Sequence, residues 1–148
     1  MSSRIKRPLS ATSTRRRRAE ASATFGLILI FVALAAPFAS SGNMDLLRVY
    51  KWIYCAGALV YTVARVASAN DPADSARVRR LRRMEFWAGM AFIAGGAFWF
   101  YSESHLGEYA GMLAVLRDTI MFTLAGALVQ IIASWMIVSR TKKEQSGQ

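Results

Sequence analysis

The chain has 148 residues, of which 54% are hydrophobic and 19% are charged, and its formal net charge is +10. The length suits one domain, and the apolar share exceeds that of most soluble globular proteins. Because the apolar residues come in long runs and the charges in separate blocks, the pattern predicts an all-α, polytopic membrane protein. The single cysteine, Cys55, excludes an internal disulfide and any paired-cysteine redox or zinc site.

Residues 1–20 form a polar, basic arm that includes four consecutive arginines at residues 15–18. Low hydrophobicity and high charge predict a disordered cytoplasmic arm, and the polar tail 141–148 is expected to fray as well. Neither segment carries interleaved aromatic residues or a nucleic-acid-binding motif. The basic blocks therefore predict contact with membrane lipids and no binding of nucleic acid.

Four apolar runs follow the arm, each close to the length that crosses roughly 30 Å of hydrocarbon at about 1.5 Å per residue. The predicted spans cover residues 22–40, 49–69, 84–102 and 118–139, within a transmembrane domain of residues 21–140. Tryptophan or tyrosine lies near the ends of the last three runs, as is typical of the headgroup level. We expect four transmembrane helices in an antiparallel bundle.

The first run has a second interpretation, a cleaved signal peptide. It follows a basic segment, its strongest apolar stretch spans only residues 25–36, and residues 39–42 (ASSG) offer small side chains for cleavage. The basic arm is unusually long for a signal peptide, which favours a retained span. Both interpretations stay open at the level of the sequence.

Positive charges are distributed unequally among the segments that connect the runs. Sixteen of the 19 lysines and arginines lie in the arm, in the tail, or in and beside the connector between runs two and three. By the positive-inside rule, both termini and that connector are cytoplasmic, in a bacterial-type inner membrane. The connector's arginines are expected to bind anionic lipid headgroups. They are Arg77, Arg79, Arg80, Arg82 and Arg83.

The two longer connectors contain helix signals. Asp71 can cap open backbone N–H groups, Pro72 suits a first helical position, and the charge of Asp74 favours the helix dipole. We predict a helix from about Pro72 that continues into run three. The apolar segment 106–116 is too short to span and is predicted to be an interfacial helix, with a re-entrant segment or an extension of span four as alternatives.

Small and polar residues recur at helical spacing inside the runs. On span four this face can either line a hydrophilic path or allow close helix packing, and we favour packing. Spans two and three carry comparable faces, one rich in tyrosine and one in glycine. The three faces are Thr119, Thr123, Gly126, Gln130 and Ser134; Tyr50, Tyr54, Gly57 and Tyr61; and Gly89, Phe92, Gly96 and Trp99.

Charged residues near the ends of the runs predict interhelical ion pairs. At the outer level, Arg48 or Lys51 is expected to pair with Asp118, with Asp45 as a second acceptor for either. At the inner level, Arg65 ends run two and Glu85 begins run three, so these two are expected to meet. Structural ion pairs are favoured over functional sites at both levels.

No catalytic motif, phosphate loop or dinucleotide fingerprint is present, and we expect no cofactor and no metal. The favoured function is a non-catalytic accessory or scaffold subunit that packs against itself or another membrane protein. One alternative is a small oligomeric channel or transporter. Another is a lipid-acting enzyme that uses Glu103, His105 and Asp118 at the outer surface.

Overall fold

The computed structural model of the chain describes residues 9–40, 44–69, 74–106 and 111–147. Within these ranges every regular element is an α-helix, which confirms the all-α prediction. The helices are α1 (Leu9–Ala39), α2 (Met44–Ala69), α3 (Ala76–Leu106) and α4 (Met112–Ser146).

Three segments of these helices are long and apolar enough to cross a membrane, and they indicate a membrane protein. They are Thr14–Ala39 in α1, Asp45–Ala69 in α2 and Met112–Ser146 in α4. The helix α3 is not among them, because five arginines precede its apolar run and that run includes Glu85 and three glycines. Its neighbours α2 and α4 pack against it, so α3 shows less of its surface to the surroundings than an outer helix does.

The helices pack in chain order, α1 on α2, α2 on α3 and α3 on α4, while α1 and α4 make few contacts. Neighbouring helices run antiparallel, since Lys51 near the start of α2 pairs with Glu103 near the end of α3. Arg65 near the end of α2 likewise pairs with Glu85 near the start of α3. We call the end that carries the start of α1 and the end of α4 the termini end, and the opposite end the far end.

Aromatic side chains from α2 and α3 form the centre of the core. Tyr54, Tyr61, Phe92 and Trp99 are fully buried. The Tyr61 and Phe92 rings meet edge to face, with centroids 5.2 Å apart. Burial of such rings contributes through their large apolar area and their quadrupoles. The tyrosine face predicted on span two is thus part of the core.

The helices α1 and α2 cross at two glycines, Gly26 and Gly57. A Cβ atom on Gly26 would lie 2.7 Å from the carbonyl oxygen of Gly57, and one on Gly57 would lie 2.8 Å from that of Gly26. Contact this close between backbones is possible only without side chains, as in other membrane helix pairs with small residues at the crossing.

Glycines also allow close packing on both sides of α3. Gly89 lies under Thr62, whose Oγ1 would be 2.6 Å from an added Cβ, and a Cβ on Gly96 would lie 3.0 Å from Cys55 Sγ. On α4, a Cβ on Gly126 would lie 2.8 Å from the ring of Phe92. The glycine face predicted on span three therefore contacts α2.

The described parts of two segments predicted to be disordered or frayed are helical, whereas residues 1–8 and 148 lie outside the described residues. The helix α1 begins at Leu9 rather than after residue 20, because arginine and alanine favour helix. A pair at helical spacing, Arg16 with Glu20 at 3.3 Å, adds support. The helix α4 continues to Ser146, and near its end Glu144 accepts a hydrogen bond from Ser75 at 3.0 Å.

The connectors also differ from expectation. The helix α3 begins at Ala76, four residues after the predicted start, and Ser75 Oγ accepts a bond from the Val78 N–H at 3.4 Å. Ser75 is therefore its N-cap, while Asp71 and Pro72 lie outside the described residues. Residues 112–116, predicted as part of a separate interfacial helix, belong to α4. For residues 112–116 the observed alternative is an extension of span four, whereas residues 107–110 lie outside the described residues.

Candidate functional site

The termini end holds an ion pair in the interior, Arg65 with Glu85. Arg65 Nη1 lies 3.2 Å from Glu85 Oε2, and only 13% and 3% of the two side chains are exposed. The Arg65 guanidinium also lies over the Tyr61 ring, 5.3 Å from its centroid. This is the pair expected from the sequence at the inner level.

Polar side chains of α4 extend this pair toward the middle of the helices. Gln130 Nε2 donates to Ser134 Oγ at 2.9 Å, and Ser134 Oγ donates to Glu85 Oε1 at 3.2 Å. Tyr61 donates its hydroxyl to the Gln130 side-chain oxygen. We call these residues the inner polar cluster. They are Tyr61, Arg65, Glu85, Gln130 and Ser134.

A second set of hydrogen bonds lies about two to three turns nearer the start of α4. Thr119 Oγ1 donates to the Gly95 carbonyl at 2.9 Å, and Thr123 Oγ1 donates to the Thr119 carbonyl at 2.7 Å. The Thr123 hydroxyl is also 2.7 Å from the hydroxyl of Tyr54. Thr119 and Thr123 are 0% and 1% exposed. The polar face predicted on span four thus contacts α2 and α3.

A cavity of about 430 Å³ opens at the termini end, beside the inner polar cluster. All four helices contribute to its lining, although α1 and α4 make few contacts with each other. The lining residues are Arg16, Glu20, Thr24, Arg65, Arg82, Glu85, Ser134, Ile137, Val138, Thr141 and Lys142.

At the far end Arg48 and Lys51 pair with Glu103 and not with Asp118, the first of their two predicted partners. Lys51 Nζ lies 2.7 Å from Glu103 Oε2 and Arg48 Nε lies 3.5 Å from Glu103 Oε1. Asp118 pairs instead with the adjacent Arg117 at 3.3 Å. The reason is the packing order: α2 packs directly on α3, so a carboxylate on α3 is nearer than one on α4.

The three residues proposed for an outer catalytic site do not converge. Glu103 is held by the two cations of α2. His105 is exposed, stacks on Tyr101 with ring centroids 4.0 Å apart, and places Nδ1 3.0 Å from the Tyr101 carbonyl. Asp118 has its own partner, Arg117. Within the described ranges, no group of three or more histidine, cysteine or acidic residues could hold a metal ion.

One of the five arginines predicted to bind lipid headgroups is buried. Arg82 pairs with Asp74, and 3% and 9% of these two side chains are exposed. The Arg82 side chain therefore faces the interior, where it meets Asp74, a residue that precedes α3. The others remain exposed and available to headgroups. They are Arg77, Arg79, Arg80 and Arg83.

In comparisons with known proteins, no family model matches the chain. No curated protein and no solved structure matches it either.

Proposed function

We propose that the chain is a multi-pass protein of a bacterial-type inner membrane, with four transmembrane helices and both termini in the cytoplasm. The unequal distribution of positive charge supports this orientation. The position of α3 between α2 and α4 supports its inclusion as a span, because protein covers its glycine and polar faces. Charged side chains concentrate at the two ends, as expected at the two membrane interfaces.

Within this membrane protein we propose a non-catalytic accessory or scaffold role. The observation that carries the proposal is that polar side chains inside the helices bond across helix interfaces. Thr119, Thr123 and Gln130 all bond to groups on α2 or α3. Such bonds hold membrane helices together, and they leave these polar groups engaged in packing rather than lining a water path.

One surface available to a partner is the apolar outer side of α4, where Leu124, Leu128 and Ile131 are 57%, 61% and 65% exposed. In the bilayer, either lipid tails or apolar helices of another protein can cover these side chains. We propose a second membrane protein as the main occupant. A further copy of this chain can cover the same surface, so the experiment must distinguish these two occupants.

Cross-linking in native membranes at natural expression level tests this role. With a photo-cross-linking residue at Leu128, followed by affinity purification, we expect one reproducible heterologous membrane protein. Leu116, on the same helix but fully buried, is the matched control and should capture only internal contacts. Capture of lipid alone, or only of a second copy, would contradict the accessory role. Intact mass of the same sample shows whether residues 1–41 are retained.

A small oligomeric channel or transporter is the second candidate, and one observation favours it. Glu85 is an interior carboxylate, 2% exposed, that lines the 430 Å³ cavity. Ionisable residues within membranes often mark ion or substrate pathways. An assay of solute flux across the membrane of proteoliposomes separates the two functions. A scaffold predicts no flux, whereas a transporter predicts flux that Gln130→Leu and Thr123→Val abolish without loss of assembly.

A further inference from the structure

The cavity at the termini end has an excess of positive charge. Four cationic and two carboxylate side chains line it. Each carboxylate already has a cation, Glu20 with Arg16 at 3.3 Å and Glu85 with Arg65 at 3.2 Å. Arg82 is paired with Asp74, which leaves Lys142 to supply the excess positive charge that favours an anion.

The Arg65 side chain lines the cavity and is mostly buried. Its Nε is buried and has no hydrogen-bond partner among the described residues, although the guanidinium is next to Glu85. A guanidinium presents five N–H donors in a planar fork that matches phosphate and carboxylate oxygens. Arg65 therefore adds a fixed positive charge to the wall of the cavity.

Two of the remaining lining residues are apolar, and one of them continues onto the outside of the molecule. Ile137 and Val138 line it from α4, and Val138 is 52% exposed. Residues of both α1 and α4 line the cavity, and these two helices make few contacts with each other, so a bound molecule can extend along α4. A volume of about 430 Å³ is that of a small-ligand site. An anionic group attached to an apolar chain fits both walls.

We propose that this cavity binds a phosphate group, carried by an anionic phospholipid whose acyl chains lie along Ile137 and Val138. The inference rests on the proposed four-span topology, which places the cavity at the cytoplasmic leaflet, where anionic lipids attract basic residues. The site is separate from the exposed arginines at the start of α3. It has walls from four helices, whereas those arginines form an open basic surface.

Native mass spectrometry of the purified full-length chain tests the site, with phosphatidylglycerol or phosphatidylcholine added in detergent. The variant is Arg16→Gln/Lys142→Gln, which removes the two exposed cations of the cavity. The matched control, Arg17→Gln/Lys143→Gln, removes the same charge from neighbouring exposed positions that do not line it. We expect one phosphatidylglycerol per chain, about tenfold weaker binding in the cavity variant, and wild-type binding in the control.

Three results would overturn the inference. Equal loss in variant and control would indicate general surface attraction, and equal retention of phosphatidylcholine would indicate an apolar lipid contact. Displacement of phosphatidylglycerol by millimolar inorganic phosphate would assign the site to free phosphate. Unchanged helicity by circular dichroism verifies that the variant folds. The purified chain is measured without a partner. A failure of lipid binding in this experiment is therefore independent of the cross-linking result that tests the accessory role.

Discussion

Replacing Gly26 with alanine is expected to destabilise the chain by about 2 kcal/mol, which is within the range of overpacked cores. The new methyl group would lie 2.7 Å from the Gly57 carbonyl oxygen and 2.8 Å from the Tyr61 backbone nitrogen. Both neighbours are backbone atoms, so relief requires α1 to move away from α2. The better helix propensity of alanine, worth about 1 kcal/mol, offsets only part of the cost. Unfolding in mixed micelles of a mild detergent and dodecyl sulfate measures the change.

Gly111→Ala is the matched control for this substitution. A Cβ at Gly111 meets nothing within 4 Å, so we expect a change of less than about 1 kcal/mol. Gly57→Ala, on the facing helix, should reproduce the effect of Gly26→Ala. If Gly26→Ala were as mild as the control, α1 and α2 would not cross at these glycines.

Replacing Glu85 with leucine is expected to cost about 3–5 kcal/mol, the range seen when one partner of a buried ion pair is removed. Arg65 would keep its charge in the interior without a counterion, and Ser134 would lose its acceptor. The double variant Arg65→Met/Glu85→Leu should recover most of the loss, because it removes the uncompensated charge as well. The same unfolding assay gives both values.

Glu20→Leu is the control for the carboxylate substitution. Glu20 also pairs with an arginine, Arg16, but both side chains are about half exposed, and such pairs contribute little. We expect a change of less than about 1 kcal/mol. Equal effects at Glu20 and Glu85 would mean that the inner pair is solvated and does not hold the helices together. If the double variant were no more stable than Glu85→Leu, the uncompensated charge of Arg65 would not be the cause of the destabilisation.

The helices could be predicted from the sequence because their signals are local. Long apolar runs specify transmembrane-type helices by length alone. The small and polar residues of span four share one face by helical spacing, and that face does contact other helices. Arg65 and Glu85 could be paired because they flank the same connector at the same depth and carry opposite charges.

The other features depend on which helices are neighbours, which no local pattern encodes. The sequence does not mark Glu103 as the partner of Lys51, because only the packing of α2 on α3 brings the two side chains together. It does not mark Gly26 either, because a glycine signals a crossing only once its facing helix is identified. Arg82 resembled its exposed neighbours in the arginine block. The cavity requires the positions of all four helices.

The central claim is that α3 crosses the membrane as the third of four spans. Single cysteines at Ala76, Gly111 and Ser146, in a Cys55→Ala background, test it with a membrane-impermeant maleimide in spheroplasts. The three positions are exposed in the structure and flank α3 and the end of α4. The account predicts that Gly111→Cys is labelled in intact spheroplasts, and that Ala76→Cys and Ser146→Cys are labelled only after permeabilisation. Labelling of Ala76→Cys and Gly111→Cys from the same side would contradict it.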